Sequence, residues 1–326
     1  MGRVRCVSLS ADHRRSWDDH GYVLLPGFVD ADTVGAINDM VDRLWRRRRS
    51  LDDRYVVDVF IGTPDEQRTY LNEASRSARS QPFKLNDLFL SEQLIRQVAA
   101  GEALTPILAE VLGGTPMVCN TLNFEYGSQQ DLHVDTFFMP SPTPNKMVAS
   151  WIALDETNSN NGPLRYVPGS HLIPPFLFSN GSTRVVPDEM PAFLEYMDAE
   201  LANRELAPIE FHAQPGDVFI WHSQLYHGGA PIREPGARRR SLVTHYFTTE
   251  DYPDHEPTQV EGGGTCLARR AAEVGHTWQP MTPSAVAGRR AREAVSGSVL
   301  ERPLRRGVRT ARSVVSRLRD LPARWT

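Results

Sequence analysis

Apolar residues recur at three- and four-residue intervals in two stretches near the start of the chain, and at two-residue intervals or in short continuous runs later on. Val34, Ile37, Met40, Val41 and Leu44 form one helical stripe, and Asp30 stands where a helix N-cap is expected. The arginines Arg46 to Arg49 fall at the C-terminal end of this helix, where cations complement the helix dipole, so they read as a solvated helix end rather than a binding patch. Just upstream, DDHGYVLLPGFV (Asp18 to Val29) is a short β-type run punctuated by Gly21, Pro26 and Gly27. Residues 91–112 repeat the helical spacing with a break near Gly101 and an end at Gly113-Gly114.

From Met117 the texture changes. MVCNTLNFEY, MVASWIAL, LRYVP, IEFHA, DVFIWH and SLVTHYF are separated by Gly, Pro, Asn and Asp clusters, a pattern that predicts an antiparallel sandwich or small barrel. No internal repeat is evident. Between His171 and Ile209 the strand pattern lapses, with a helix predicted over 189–204. A connection of that length suggests a lid over the substrate side or a surface excursion.

Composition narrows the class. The chain of 326 residues is 40% hydrophobic and 23% charged, as expected of a folded globular body. Its three cysteines, Cys6, Cys119 and Cys266, lie far apart, which argues against a disulfide framework or cysteine zinc site and suits a reducing cytoplasm. No apolar run is long enough for a signal peptide or membrane span. Charge is unevenly spread: thirteen arginines against four acids give residues 262–326 a net +9, and the chain's −4 then leaves −13 on residues 1–261.

The sharpest chemical signal is His133-Val134-Asp135. Alternate residues of an extended segment point to one side, so imidazole and carboxylate can converge on a metal. Alone the triplet is weak. It gains weight 94 residues later, where the Pro215-Gly216-Asp217 turn and DVFIWH lead to His227-Gly228-Gly229. Two histidines and one carboxylate make a facial triad suited to Fe(II), leaving adjacent coordination positions open for 2-oxoglutarate and O2. The distal carboxylate of 2-oxoglutarate needs a fixed cation, and Arg238-Arg239-Arg240 follows. Arg239 shares an inward parity with Ser241, Val243 and His245, whereas Arg240 points the other way.

From Trp17 to Phe247 these residues resemble the phytanoyl-CoA dioxygenase-like branch of the Fe(II)/2-oxoglutarate oxygenases. The resemblance lies in Gly21-Tyr22-Val23, the H-x-D triplet, Trp151-Ile152-Ala153-Leu154-Asp155, Asn161-Gly162-Pro163-Leu164, Val167-Pro168-Gly169-Ser170-His171, Pro215-Gly216-Asp217, His227-Gly228 and the R-x-S at Arg239. It implies an α+β fold: a double-stranded β-helix (jelly-roll, cupin-like) core with flanking N-terminal helices and a basic helical C-terminal tail. The implied boundaries are an extension at 1–16, the oxygenase domain at 17–250 with a lid-like insertion at about 172–209, and a linker and tail at 251–326. His133, Asp135 and His227 would hold the iron, Trp151 would line the 2-oxoglutarate pocket with Arg239, and Lys84 would stand near the cosubstrate. His171 and the NGPL and VPGSH motifs would shape a turn between core strands, and His222 would be a non-ligand.

The sequence also departs from the family pattern. Val134 stands where many members have Gln, and Gly228, Gly229 and Pro231 where Ser or Asn is common after the distal His. Asp135 is retained where related halogenases carry a small residue, so hydroxylation of an unactivated C–H bond with release of succinate and CO2 is expected. The substrate would be a small metabolite or a lipid-like molecule. Tyr126, Phe137, Phe138 and Met139 flank the triplet and predict either an apolar pocket or ordinary core packing.

A cupin-like metal-dependent isomerase or ligand-binding protein is the alternative, and it would not require Arg239. In the tail, Leu304, Val308, Ala311, Val315 and Leu318 form an apolar helical stripe among arginines. Three fates are open to it: peripheral contact with an anionic membrane, docking on the acidic body, or disorder. Specific nucleic-acid binding is not expected from arginine content alone.

Overall fold

The computed structural model describes residues 8–261 and 263–268; the apolar stripe of the tail lies outside them. In chain order the elements are α1 (Ala11–His20), β1 (Tyr22–Leu25), α2 (Ala31–Arg47), β2 (Val56–Val59), β3 (Gln67–Tyr70), β4 (Phe83–Asn86), α3 (Gln93–Ala100), α4 (Thr105–Leu112) and β5 (Pro116–Phe124). There follow β6 (Met147–Ala153), β7 (Leu164–Tyr166), α5 (Met190–Asn203), β8 (Ile209–Phe211), β9 (Val218–His222), β10 (His227–Gly229), β11 (Ser241–Thr248), β12 (Pro257–Gln259) and β13 (Thr265–Leu267).

The helices form where the apolar spacing places them. Asp30 caps α2 by accepting from the Thr33 amide, and Val34, Ile37, Met40, Val41 and Leu44 are all buried. The expected break near Gly101 separates α3 from α4, which ends on Gly113 in the left-handed conformation. α1 is different. It buries no residue, so it has no stripe to read, and it extends three residues into the segment read as β-type before Gly21 ends it at φ +80°.

The strands build two sheets. The large one runs β1-β9-β6-β11-β5-β4-β2-β3, with the β12–β13 pair attached to β5 through β13; the small one runs β10-β7-β8. Pairing is antiparallel except between β13 and β5. The ordered body thus continues past residue 250, because Thr265, Cys266 and Leu267 are buried against β5.

One face of the large sheet packs on the helices: Leu242, Ile152, Leu85, Val118 and Val148 join Ile37, Leu44, Ile95 and Ile107 in one core. The other face carries Phe124, Trp151, Phe219, Trp221 and Val243, which meet Leu164, Tyr166 and Phe211 of the small sheet. Aromatic edges lock this second core, Tyr166 to Phe219 at 4.7 Å and Trp151 to Phe211 at 5.9 Å between ring centroids. The insertion supplies a third: Phe178, Met190, Phe193 and Met197 pack against Val134, Phe137 and Tyr226. No described helix is long and apolar enough to cross a membrane.

The turn before β9 shows how tightly the chain entry is set. Gly216 sits at φ +93°, a Cβ there would lie 2.2 Å from the Val29 carbonyl oxygen, and that same segment is fixed by Val29 N–H donating to Gly216 O at 2.9 Å. Asp217 accepts from the Gly27 and Gln214 amides. Gly216→Ala is therefore expected to cost about 1–3 kcal/mol, lowering Tm by several degrees in calorimetry. An unchanged Tm would mean that the loop after β1 yields without loss.

Candidate active site

His133 and His227 are brought together by backbone, not by side chains. They form an isolated antiparallel bridge in which each amide donates to the other's carbonyl, at 2.8 and 2.9 Å. Directly opposed residues project to the same side, and the two rings lie 4.6 Å apart between centroids. Each ring is then locked by its neighbourhood. His133 Nδ1 donates to the Asp131 carbonyl and His227 Nδ1 to the Leu225 carbonyl, both at 2.8 Å. That leaves each Nε2 as a bare lone pair.

Asp135 opens a short helical turn, its amide bonded to the Ser223 carbonyl at 3.1 Å. Its two oxygens have different partners. Oδ2 accepts from the Trp221 indole at 2.8 Å, whereas Oδ1 lies 3.6 Å from His227 Nε2 and 4.0 Å from His133 Nε2. One donor atom from each of His133, Asp135 and His227 falls within 4.8 Å of the others, and all three residues are buried. Burial, reinforced by the neighbouring His227, pushes the His133 imidazole down to about 4. For Asp135 burial opposes ionisation, but the imidazoles of His227, His245 and His133 outweigh it and hold the carboxyl well below its usual range. A neutral His133 imidazole beside an ionised Asp135 carboxylate suits a divalent metal.

The three consecutive arginines part company. Arg238 and Arg240 both reach the buried Glu125, at 3.2 and 3.3 Å, where Arg79 joins them at 2.8 Å. Arg239 turns to the opposite face. It is 2% exposed, its guanidinium lies 5.5 Å from the Trp151 ring centre, and its Nε and Nη1 have no hydrogen-bond partner. Trp151 Nε1 and Ser241 Oγ are likewise buried without partners, and Trp151 and Ser241 occupy the same inner face by register. Burial lowers the Arg239 guanidinium to about 10, so it remains a cation at neutral pH. Four unsatisfied donor atoms around one buried positive charge make a receptor for an anion.

Other expected residues fall elsewhere. Lys84 also faces inward, on β4, but its ammonium is engaged by Asp58 at 3.2 Å beside Arg68. His222 and His171 meet as tilted rings 5.4 Å apart between centroids, with Trp17 on His222 at 5.8 Å, so neither ring contact involves the triad. Ser170 accepts from the Tyr226 amide and Val167 donates to the Tyr226 carbonyl, so VPGSH holds the residue preceding His227. Phe137 is consumed in packing with Phe178 and Phe193, while Phe138 stands 5.6 Å from the His133 ring.

The glycines after His227 have a steric reason. A Cβ on Gly228 would lie 2.6 Å from the Gln130 carbonyl oxygen, and one on Gly229 would lie 2.5 Å from Ser128 Oγ. The loop over 128–131 occupies the space that a serine or asparagine would need. Sequence reasoning missed Trp221 and His245 as site residues. His245 had been assigned the inward parity, and its Nε2 proves to be 3.7 Å from Asp135 Oδ1; Trp221 shares a face with Ala149 opposite His245 on β6.

Comparison with known proteins agrees with this geometry. The chain is 24% identical over 275 residues to a probable alpha-ketoglutarate-dependent hypophosphite dioxygenase of Stutzerimonas stutzeri, covering 79% of this chain and 88% of that one. It is 22% identical over 280 residues to the peroxisomal phytanoyl-CoA dioxygenase of Rattus norvegicus, covering 82% and 75%. Among solved structures, EctD from S. alaskensis with 2-oxoglutarate and 5-hydroxyectoine superposes with a TM-score of 0.55 at 22% identity, over 83% of this chain and 88% of that one. The non-heme alpha ketoglutarate dependent carbocyclase SnoK gives a TM-score of 0.55 at 17% identity, over 74% and 84%. These likenesses match a mixed helix and antiparallel-sheet fold shared with non-heme 2-oxoglutarate oxygenases. The family model described as phytanoyl-CoA dioxygenase (PhyH) matches residues 17–241, and with its iron triad intact this chain belongs to that family of Fe(II)- and 2-oxoglutarate-dependent dioxygenases.

Proposed function

We propose that the protein hydroxylates an unactivated C–H bond of a small, partly apolar molecule, with iron held by His133, Asp135 and His227 and with 2-oxoglutarate held by Arg239. The observation that carries this reading is Arg239 itself: a cation buried with two donor atoms unpaired, flanked by the equally unpaired Trp151 Nε1 and Ser241 Oγ. Metal binding alone, as in a cupin-like isomerase, does not require such a cradle. The distal carboxylate of 2-oxoglutarate supplies the missing charge, and the two-pronged guanidinium matches its two oxygens. Lys84, already paired with Asp58, is not needed there.

When bound, Fe(II) would activate O2, with 2-oxoglutarate as the two-electron reductant that is converted to succinate and CO2 while taking up one oxygen atom, the other being left for the substrate. The chain's part is to position and to seal. His133 and His227 present lone pairs because Nδ1 of each is committed to a carbonyl. Trp221 holds Asp135 Oδ2, leaving Oδ1 for the metal. The insertion's Phe178, Phe193 and Met197 pack behind the metal-bearing loop and keep water from that side. A carboxylate at position 135 occupies the place a halide would need, which favours hydroxylation. We read the two facing sheets as a double-stranded β-helix. The buried free thiols of Cys119 and Cys266 support a reducing, cytoplasmic setting.

Arg239→Lys is expected to raise the 2-oxoglutarate KM about tenfold or more, because an ammonium cannot make the paired contact. Arg240→Lys, acting on the Glu125 cluster, should lower Tm with a smaller effect on that KM. Succinate formation against 2-oxoglutarate concentration measures both, and the reverse ranking would remove Arg239 from the cosubstrate site. Trp221→Phe should weaken Fe(II) binding by about 10- to 100-fold while preserving the core, since Asp135 loses its orienting donor. Anaerobic calorimetric titration with Fe(II) reads this directly, and undiminished affinity would mean that packing alone orients the carboxylate.

A further inference from the structure

The arginine run that closes α2 divides in the structure. Arg49 donates to the Asn72 carbonyl at 2.8 Å and Arg47 is exposed, but Arg46 and Arg48 line a cleft of about 610 Å3 whose other walls are Asp42, Trp45, Arg76 and Arg79. The cleft thus joins the end of α2 to the helical turn at Ser77–Ser80. A solvated helix end needs no such convergence. Arginines from two separate segments meet in one concave space, where their mutual repulsion costs free energy that an anion would remove. The surrounding body carries −13 over residues 1–261, so this cationic patch is not a sample of the general surface.

The charges do not cancel within the cleft. Asp42, the one acid lining it, is paired with Arg79 at 2.5 Å. Arg79 is further held by Glu125 at 2.8 Å and stands 5.1 Å from the Phe83 ring centre. Arg48 is fixed without being neutralised: its Nε donates to the Ala74 carbonyl at 3.2 Å and its Nη1 to the Trp45 carbonyl at 3.3 Å. Arg46 and Arg76 are exposed and have no ionic partner among the described residues. Three guanidinium groups therefore share one cleft with no counter-charge of their own. Trp45 is 3% exposed, and its indole N–H is a buried donor without an acceptor.

The donor set points to the class of anion. A carboxylate is planar and is satisfied by one guanidinium fork, whereas a phosphate ester presents three acceptor oxygens and close to two negative charges to donors arriving from several directions. The cleft's volume is that of a site for a small organic molecule rather than a bare ion. The chain's own tail is excluded by charge, since residues 262–326 carry +9. We propose that this cleft, which shares no residue with the iron site, is a second ligand site for a small molecule bearing a phosphate group, held by Arg46, Arg48 and Arg76.

Calorimetric titration tests the assignment on full-length protein loaded anaerobically with one Fe(II) per chain and with 2-oxoglutarate in excess, so that Arg239 is occupied. The probes are inorganic phosphate, AMP and uncharged adenosine. Saturable binding of the two phosphates at low salt, weakening as salt is raised, and no binding of adenosine are expected. Arg46→Gln and Arg76→Gln should each weaken AMP binding about five- to tenfold. Arg47→Gln, on the same helix end but outside the cleft, should change it less than about twofold. All three replaced side chains are exposed, and an unchanged Tm without ligand shows that each variant folds. Phosphatidylglycerol vesicles that displace AMP from the wild type, but show no added affinity over the Arg46→Gln variant's loss, would assign the phosphate to a lipid headgroup; vesicles that leave AMP bound would assign it to a free molecule. Either result keeps the site. No saturable binding of phosphate or AMP by the wild type, adenosine binding as tightly as AMP, or an equal loss in Arg47→Gln would each overturn the proposal.

Discussion

The site rests on two buried charges of opposite sign, Asp135 and Arg239, that the protein does not match with one another. Burying an unpaired ion costs several kcal/mol even after relaxation, so such charges persist only where the surrounding structure leaves them no alternative. Asp135 has one oxygen on Trp221 and the other facing imidazoles; Arg239 has Trp151 beneath it and no anion. A divalent metal completes the first and a dicarboxylate completes the second. Because one molecule of 2-oxoglutarate can reach both the metal and the guanidinium, the two deficits are complementary to a single pair of ligands.

The large sheet sets where these charges stand. Strict alternation along β11 sends Leu242 and Thr244 to the helical layer and Val243 and His245 to the interior. The same alternation, continued through the arginines before it, divides Arg238 and Arg240 from Arg239. The first two converge with Arg79 on Glu125, and with Asp42 beside Arg79 and Asp155 beside Arg240 three carboxylates face three guanidinium groups in a cluster that holds the strand entry. The contrast between that matched cluster and the unmatched Arg239 distinguishes architecture from function within three adjacent residues.

How much of this could be read in advance follows from the range of each interaction. The α2 stripe, the break at Gly101 and the six later strands are local patterns, and they stand where the spacing put them. His133, Asp135 and His227 were legible because residue chemistry and the turn before β9 narrow the choice, and Arg239 because strand parity is a local property. β2, β3 and β4 were not anticipated: each has four residues, and Asp58, Arg68 and Lys84 interrupt their apolar pattern to pair across strands. α1 had no apolar stripe at all. The orienting role of Trp221 depends on a partner 86 residues away, and no periodicity encodes such a contact.

The account's central claim is that one buried site binds Fe(II) and 2-oxoglutarate together. Anaerobic titration of the full-length protein with Fe(II) and then 2-oxoglutarate, followed by visible absorbance, measures this most directly. A metal-to-ligand charge-transfer band that needs both components and saturates at one of each per chain is the predicted result. Metal binding with no absorbance on adding 2-oxoglutarate would contradict it, and would leave Arg239 a buried cation without a purpose in catalysis.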